Sequence, residues 1–235
     1  MSNLVHSHTE KQLLHSQFIK IGTIAFFSRL VLNTAKRFPY PFAPALSRGL
    51  RVHLTSITSL IALNQAAAIL GLIIAPMGDR LGYKRMMLAG MAMLIIGMLV
   101  TGCLPIYGIV LFAFFLTGLA KNTFDPAIQA YVGERTPYSR RGLAIGILEL
   151  SWAGSTLIGI PFIGFLINDF GWKSPFFFIS GTGVICFVFL MLVIQRDSKR
   201  THKAFSSLFF LKALKQLIRQ SQSLAQSLCH YIATQ

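Results

Sequence analysis

Six separate stretches of this chain stay apolar for about the 20 residues a helix needs to cross the hydrocarbon core of a membrane. They cover residues 18–39, 55–77, 86–103, 109–132, 143–167 and 176–194. Lipid offers no water to an exposed backbone, so each stretch must satisfy its own N–H and C=O groups, as a helix does. The fold class that follows is an all-α integral membrane protein, a six-transmembrane-helix bundle over residues 18–194. Residues 1–17 precede it, and residues 195–235 follow as a tail. The first stretch is the least clean, because Arg29, Lys36 and Arg37 interrupt it. Those cations, and Pro44 inside the Ala43-Pro44-Ala45 triplet, argue for an uncleaved first helix over a cleaved signal peptide.

The chain is 54% hydrophobic and 12% charged, against about 25% charged for a soluble domain. One globular core cannot hide that excess of apolar surface. The net charge of +15 would point to nucleic acid if the basic residues formed one solvated patch. They form short clusters between the apolar runs and in the tail instead, so no nucleic-acid partner is expected. Cys103, Cys186 and Cys229 have neither disulfide nor metal spacing and read as small buried hydrophobes. No nucleotide loop, metal constellation or nucleophile-base arrangement stands out, so neither an enzyme nor a cofactor is expected.

Loop charges set the orientation. Arg80, Lys84 and Arg85 stand against Asp79 after the second stretch, and Arg135, Arg140 and Arg141 against Glu134 after the fourth. The tail holds seven cations over residues 196–219 against Asp197 alone. With six spans all three segments fall on one side, which the positive-inside rule makes cytoplasmic. Arg48 and Arg51, in the first outer loop, are exceptions. Both termini are expected inside, in a multi-pass protein of the cell membrane.

Asp79-Arg80-Leu81-Gly82-Tyr83-Lys84 after the second stretch is echoed by Asp169-Phe170-Gly171-Trp172-Lys173 after the fifth. On this topology the two copies lie on opposite sides, as in transporters built from two inverted three-helix repeats. A match this short also arises by chance.

Ala75-Pro76-Met77-Gly78-Asp79-Arg80-Leu81-Gly82-Tyr83-Lys84-Arg85 resembles the motif that joins helices two and three of major facilitator transporters, a Gly-x-x-x-Asp-Arg-x-Gly-Arg-Lys-like string. Ala75 replaces its leading Gly, and Tyr83 replaces an Arg. The motif implies a cytoplasmic gating loop of Asp79, Arg80, Gly82, Lys84 and Arg85, whose alternative is an ordinary positive-inside loop. Asp125-Pro126 with residues 134–142 resembles the helix four to five junction of efflux members. Gly159-Ile160-Pro161-Phe162-Ile163-Gly164 resembles the Gly-Pro-x-x-Gly signature of proton-coupled exporters, apart from the inserted Ile160. Gly171-Trp172-Lys173-Ser174-Pro175-Phe176 resembles the start of helix six.

The resemblance covers residues 18–194 and implies the N-terminal half of a major facilitator fold, with proton-coupled efflux of a small molecule by an antiporter. Gly159, Pro161 and Gly164 would be a hinge in helix five; with Gly154 they also read as a small-residue packing face.

Three ionisable residues lie at membrane depth, where a charge costs a few kcal/mol and marks a candidate for function. Lys121 and Asp125 share a helix face at i,i+4. Asp125 and Glu149 each lie about 7 residues, roughly 11 Å, from the cytoplasmic ends of their helices. Lys121 lies about one turn nearer the midplane. Two carboxylates beside one lysine leave one acid with a raised affinity for a proton, as a relay requires. The alternative is a static buried pair fixing helix four against helix five. Asn33, Asn64 and Gln65 are further pathway candidates or interhelical glue, and Lys36 and Arg37 line a cavity or snorkel.

A complete facilitator has twelve helices in two halves, so membrane lipid, a small-molecule substrate, protons and a second six-helix half or homodimer are the expected partners. Residues 204–231 have the pattern of an amphipathic surface helix. The alternatives to a transporter half are a non-transporting membrane interaction subunit and an inactive fragment. The topology has a direct test in single-cysteine variants. Pro105→Cys is expected to react with an impermeant maleimide from outside the cell and Ser139→Cys only after permeabilisation; external labelling of Ser139→Cys would contradict the orientation.

Overall fold

The computed structural model describes the backbone of residues 2–74 and 81–194, with side chains from Lys20 onward except residues 72 and 73. Every described residue belongs to a compact unit spanning Met1–Ser198. The expected amphipathic helix over 204–231, Cys229 and the loop residues Asp79 and Arg80 lie outside the described residues. Those described form helices and no strand.

The helices are α1 (Ser2–Arg37), α2 (Ala43–Leu50), α3 (Leu54–Ile74), α4 (Tyr83–Cys103), α5 (Tyr107–Arg135), α6 (Arg141–Gly154), α7 (Ile160–Phe170) and α8 (Ser174–Val193). A π-turn over Ser155–Gly159 joins α6 to α7, so one long helix runs over residues 141–170. Among the described residues, five helices are long and apolar enough to cross a membrane: α3, α4, α5, α6–α7 and α8. α1, which carries Lys20, Arg29, Lys36 and Arg37, packs against α5, α6 and α8 and so runs through the same bundle. Expected and observed ends differ by a few residues except at α1, whose helix begins at Ser2, well before residue 18; α5 reaches a turn beyond residue 132, into Arg135.

The chain is apolar on its outside as well as in its core. Ile69, Phe112, Leu143, Leu157 and Leu192 stand in the open on the outer faces. A soluble surface would not tolerate so many, and lipid does not penalise them. Inside, Phe38, Phe114 and Phe176 close one end of the bundle around tilted and edge-on rings 5.5 to 6.4 Å apart. They tie α1, α5 and α8 together. Cys186 is buried as expected, whereas Cys103 is exposed at the end of α4.

α2 was not foreseen. It turns back through Arg51 in the left-handed region (φ 55°), with N–H bonds from Arg51 and Val52 to the carbonyls of Arg48 and Ser47. Its Leu46 is buried.

Two glycines carry the inverted repeat into the backbone. Gly82 has φ 91°, ψ 141° and Gly171 has φ 86°, ψ 170°, a region that a side chain makes costly. Each precedes an aromatic residue and a lysine, Tyr83-Lys84 and Trp172-Lys173, and each opens the third helix of its repeat. The short sequence echo therefore marks the same turn made twice.

Gly171→Ala is expected to lose roughly 1–3 kcal/mol for its backbone conformation. Gly146→Ala, in an ordinary turn of α6 with nothing within 4 Å, is expected to gain about 0.5–1 kcal/mol. Thermal unfolding of both variants in detergent checks the contrast; equal shifts would contradict it.

Candidate functional site

Three polar stripes, one on each of α1, α5 and α6, converge inside the bundle. α1 contributes Arg29, Asn33, Lys36 and Arg37; α5 contributes Lys121, Asp125 and Gln129; α6 contributes Glu149 and Trp152, and the π-turn after it Thr156. Each stripe keeps the three- and four-residue spacing that puts side chains on one helical face.

Arg29 joins them. Its side chain is only 4% exposed. Its Nε donates to Asp125 Oδ1 at 3.2 Å and its Nη1 to Glu149 Oε1 at 2.8 Å. One guanidinium thus holds carboxylates from two other helices, using the fixed fork of donors that lysine lacks. Lys121 Nζ donates to the second oxygen of Asp125 and, at 2.7 Å, to Asn33 Oδ1. Asn33 Nδ2 donates to Ser151 Oγ at 3.2 Å, and Ser151 in turn to the Leu148 carbonyl. Gln129 Nε2 donates to the same Glu149 oxygen as Arg29, at 3.0 Å. Further along α1, Arg37 donates to the Thr156 hydroxyl and lies 3.8 Å over the Trp152 ring.

The sequence placed Lys121, Asp125 and Glu149 at one depth and counted one cation against two carboxylates. Arg29 adds a second cation paired directly with these carboxylates, and Lys36 and Arg37 stand on the same α1 stripe, so charge alone does not require a retained proton. The asymmetry lies in access instead. Arg29 is buried, Asp125 mostly so, and Glu149 is 51% exposed. Arg29 read in the sequence only as an interruption of the first stretch. Its spacing to Asn33 and Arg37 was the available signal.

The other candidates separate. Asn33 belongs to the network. Asn64 is buried elsewhere and donates to the Phe114 carbonyl at 2.8 Å, joining α3 to α5 as glue. Gln65 bonds the Tyr40 hydroxyl. In the first turn of α4, Lys84 Nζ donates to the carbonyls of Met191 and Ile194. It caps the α8 C-terminus, where the helix presents unpaired carbonyls and partial negative charge. Tyr83, in place of the family's Arg, reaches Glu134 at 3.4 Å. Arg85 is exposed.

Two prolines shape the helices around the network. Pro161 has no N–H, so it cannot continue the ladder one turn back. Just ahead of it the Ile160 N–H donates to Ser155 O, five residues back, which is the π-turn. Gly159 in that turn leaves the Thr34 side chain no room for a Cβ, and Gly154 and Gly164 face Leu30 and Phe42. Gly154 and Gly159 therefore pack toward α1 and Gly164 toward the turn that follows it, with the π-turn between them. Pro126 sits inside α5 beside Asp125. Among the described residues no His/Cys/Asp/Glu group could hold a metal.

Comparison with known proteins supplies a frame for this geometry. The model of the Major Facilitator Superfamily matches residues 25–233. The uncharacterized MFS-type transporter YwfA of Bacillus subtilis is 29% identical over 141 residues, 58% of this chain and 33% of that protein. Multidrug resistance protein 2 of the same organism is 29% identical over 147 residues, 60% of this chain and 36% of that one. The chain spans about a third of the length of these curated relatives. A crystal structure of a peptide transporter POT in complex with alafosfalin superposes with a TM-score of 0.67 at 14% identity. It covers 90% of this chain and 46% of the other, a likeness of fold.

Removing a buried ionic partner strands its mates, at roughly 3–5 kcal/mol in buried sites and less where one mate is half exposed. Arg29→Met is expected to lower stability by at least about 2 kcal/mol on that basis, and adding Glu149→Gln, which leaves Asp125 paired with Lys121, to restore part of the loss. Equilibrium unfolding in mixed micelles measures both. A double variant no more stable than the single one would contradict the network.

Proposed function

The chain belongs to the Major Facilitator Superfamily, and on that premise we propose that it forms the N-terminal six-helix half of a secondary active transporter, working by proton-coupled efflux of a small molecule. The observation that carries this reading is the buried Arg29, held at membrane depth between Asp125 and Glu149. A membrane helix accommodates such a charge only against partners or a water-filled path, and such residues are the usual parts of substrate and proton routes. The peptide transporter's matching half supports the half-bundle reading, and the relative named for multidrug resistance supports the efflux reading.

In this mechanism Glu149 is the first proton acceptor, because it is the exposed member of the pair. A proton on Glu149 removes one of the two charges holding Arg29, leaving the guanidinium to Asp125 alone. The contact between α1 and α6 then differs in strength between the two protonation states. A ligand or proton that discriminates between states in this way shifts their populations. Lys121, Asn33 and Ser151 carry the change across all three helices, and the π-turn before Pro161 is where the helix over 141–170 bends to follow it. The basic end of the bundle, with Lys84, Arg135 and Arg141, faces the cytoplasm on the positive-inside rule. Alternating access needs a second bundle rocking against this one around a midplane site, so a complementary or like six-helix half completes the cycle.

The test is reconstitution in proteoliposomes with and without a second six-helix half, using a fluorescent multidrug-type dye and an imposed proton gradient. Gradient-driven dye movement is expected only with both halves present. Glu149→Gln is expected to abolish gradient drive while retaining exchange of dye across a membrane without a gradient. Gradient-driven transport by a strictly monomeric chain would overturn the half-transporter reading, and full gradient drive in Glu149→Gln would overturn the proton route.

A further inference from the structure

The inverted repeat pairs two seams of the bundle, and they are built differently. α4 against α5 corresponds to α8 against α1, the third helix of one repeat against the first of the other. The α4–α5 seam is closed by glycines: a Cβ on Gly90 would lie 2.8 Å from the Ala120 carbonyl, and one on Gly97 would lie 2.9 Å from that of Ala113. Along the α8–α1 seam the described glycines make no such contact: Gly22 borders Tyr131, Ala144 and Leu148 of α5 and α6, and Gly183 meets Ile95 of α4. Large side chains hold the helices apart there, and a cavity of about 800 Å³ opens between α1, α7 and α8. Phe27, Val31, Phe162, Phe178, Ile185 and Phe189 line it.

The walls select for hydrocarbon. Thr34 and Thr182 donate to carbonyls of their own helices, Leu30 and Phe178. Along α1 the groove runs from Lys20 to Thr34, roughly 21 Å at 1.5 Å per residue. One leaflet's share of a bilayer core about 30 Å thick is shorter than that. The single charged side chain in the lining is Lys20. It is exposed at the end where α8 finishes, and none of the ion pairs among the described residues includes it. An ammonium at the polar rim of an acyl-sized groove matches an anionic headgroup in charge, place and reach.

We propose that the α1–α7–α8 groove is a binding site for an acyl chain of an anionic phospholipid, whose headgroup phosphate pairs with Lys20. The lipid fills the seam that glycine contacts close in the other repeat, and it makes the packing of α1 sensitive to the anionic lipid content of the membrane. The inference stands on the groove and does not depend on the transport cycle.

Quenching of a single tryptophan by brominated lipid tests it on the full chain in bilayers. Trp152→Phe and Trp172→Phe remove the native reporters, Phe189→Trp places one in the groove, and Ile96→Trp places one on the exposed face of α4. Phosphatidylglycerol and phosphatidylcholine brominated in mid-chain are compared at equal mole fraction. The groove reporter is expected to favour phosphatidylglycerol about fivefold, the equivalent of one lysine's attraction to an anionic surface, and the α4 reporter to favour neither. Lys20→Gln is expected to abolish the groove preference and Lys20→Arg to keep it. Equal quenching by both lipids in the groove, the same preference at both reporters, or a preference that survives Lys20→Gln would each overturn the site.

Discussion

A guanidinium in the interior of a membrane bundle is the constraint from which the arrangement of this chain follows. Arg29 is all but inaccessible, and an uncompensated charge in that setting is too costly to persist. It must meet acids, and the acids at its depth are on two different helices. α1 is thereby fixed between α5 and α6, in the one position where a single side chain reaches both Asp125 and Glu149. Asn33 and Arg37, one and two turns along, repeat the same bridging with Lys121, Ser151, Thr156 and the Trp152 face. The close approach of Gly159 to Thr34 belongs to the same geometry, since a bulkier residue there would push the helix away from the arginine.

Around that centre the two halves of the repeat are alike in turn chemistry and unlike in packing. The positive-φ glycines at 82 and 171 start α4 and α8 in one backbone shape, and Lys84 secures the far end of α8 to the start of α4. The polar network occupies only the α1–α5–α6 side. Electrostatics therefore breaks the symmetry that the backbone keeps: the charges that the first helix of the first repeat brings to the network are all cations, and both carboxylates come from the second repeat.

Much of this was legible in the residues. Long apolar runs mark helices because lipid permits so few alternatives: among the described residues five of the six expected stretches are helices long and apolar enough to cross, and α4, α5 and α8 lie within a few residues of their expected ends. Counting residues from the ends of antiparallel helices put Asp125 and Glu149 at one level, and the i,i+4 step gave Lys121. Arg29 was missed because its partners are set by which helices touch, about 96 and 120 residues away, and no local pattern encodes that. The π-turn needed the register of a particular hydrogen-bond ladder. Asn64 looked equivalent to Asn33 in sequence, yet one faces the network and the other a carbonyl of α5, a difference of helix rotation alone.

The most direct test of the account is a measurement of the bond that organises it. Solid-state NMR in bilayers, with ¹⁵N on arginine and ¹³C on aspartate and glutamate carboxyls, reports guanidinium–carboxyl proximity through dipolar dephasing. Asp125→Asn and Glu149→Gln assign the signals. The account expects two carboxyl resonances dephased by Arg29, one lost in each variant and both lost in Arg29→Met. Dephasing of only one carboxyl, or of neither, would contradict a bundle centred on Arg29.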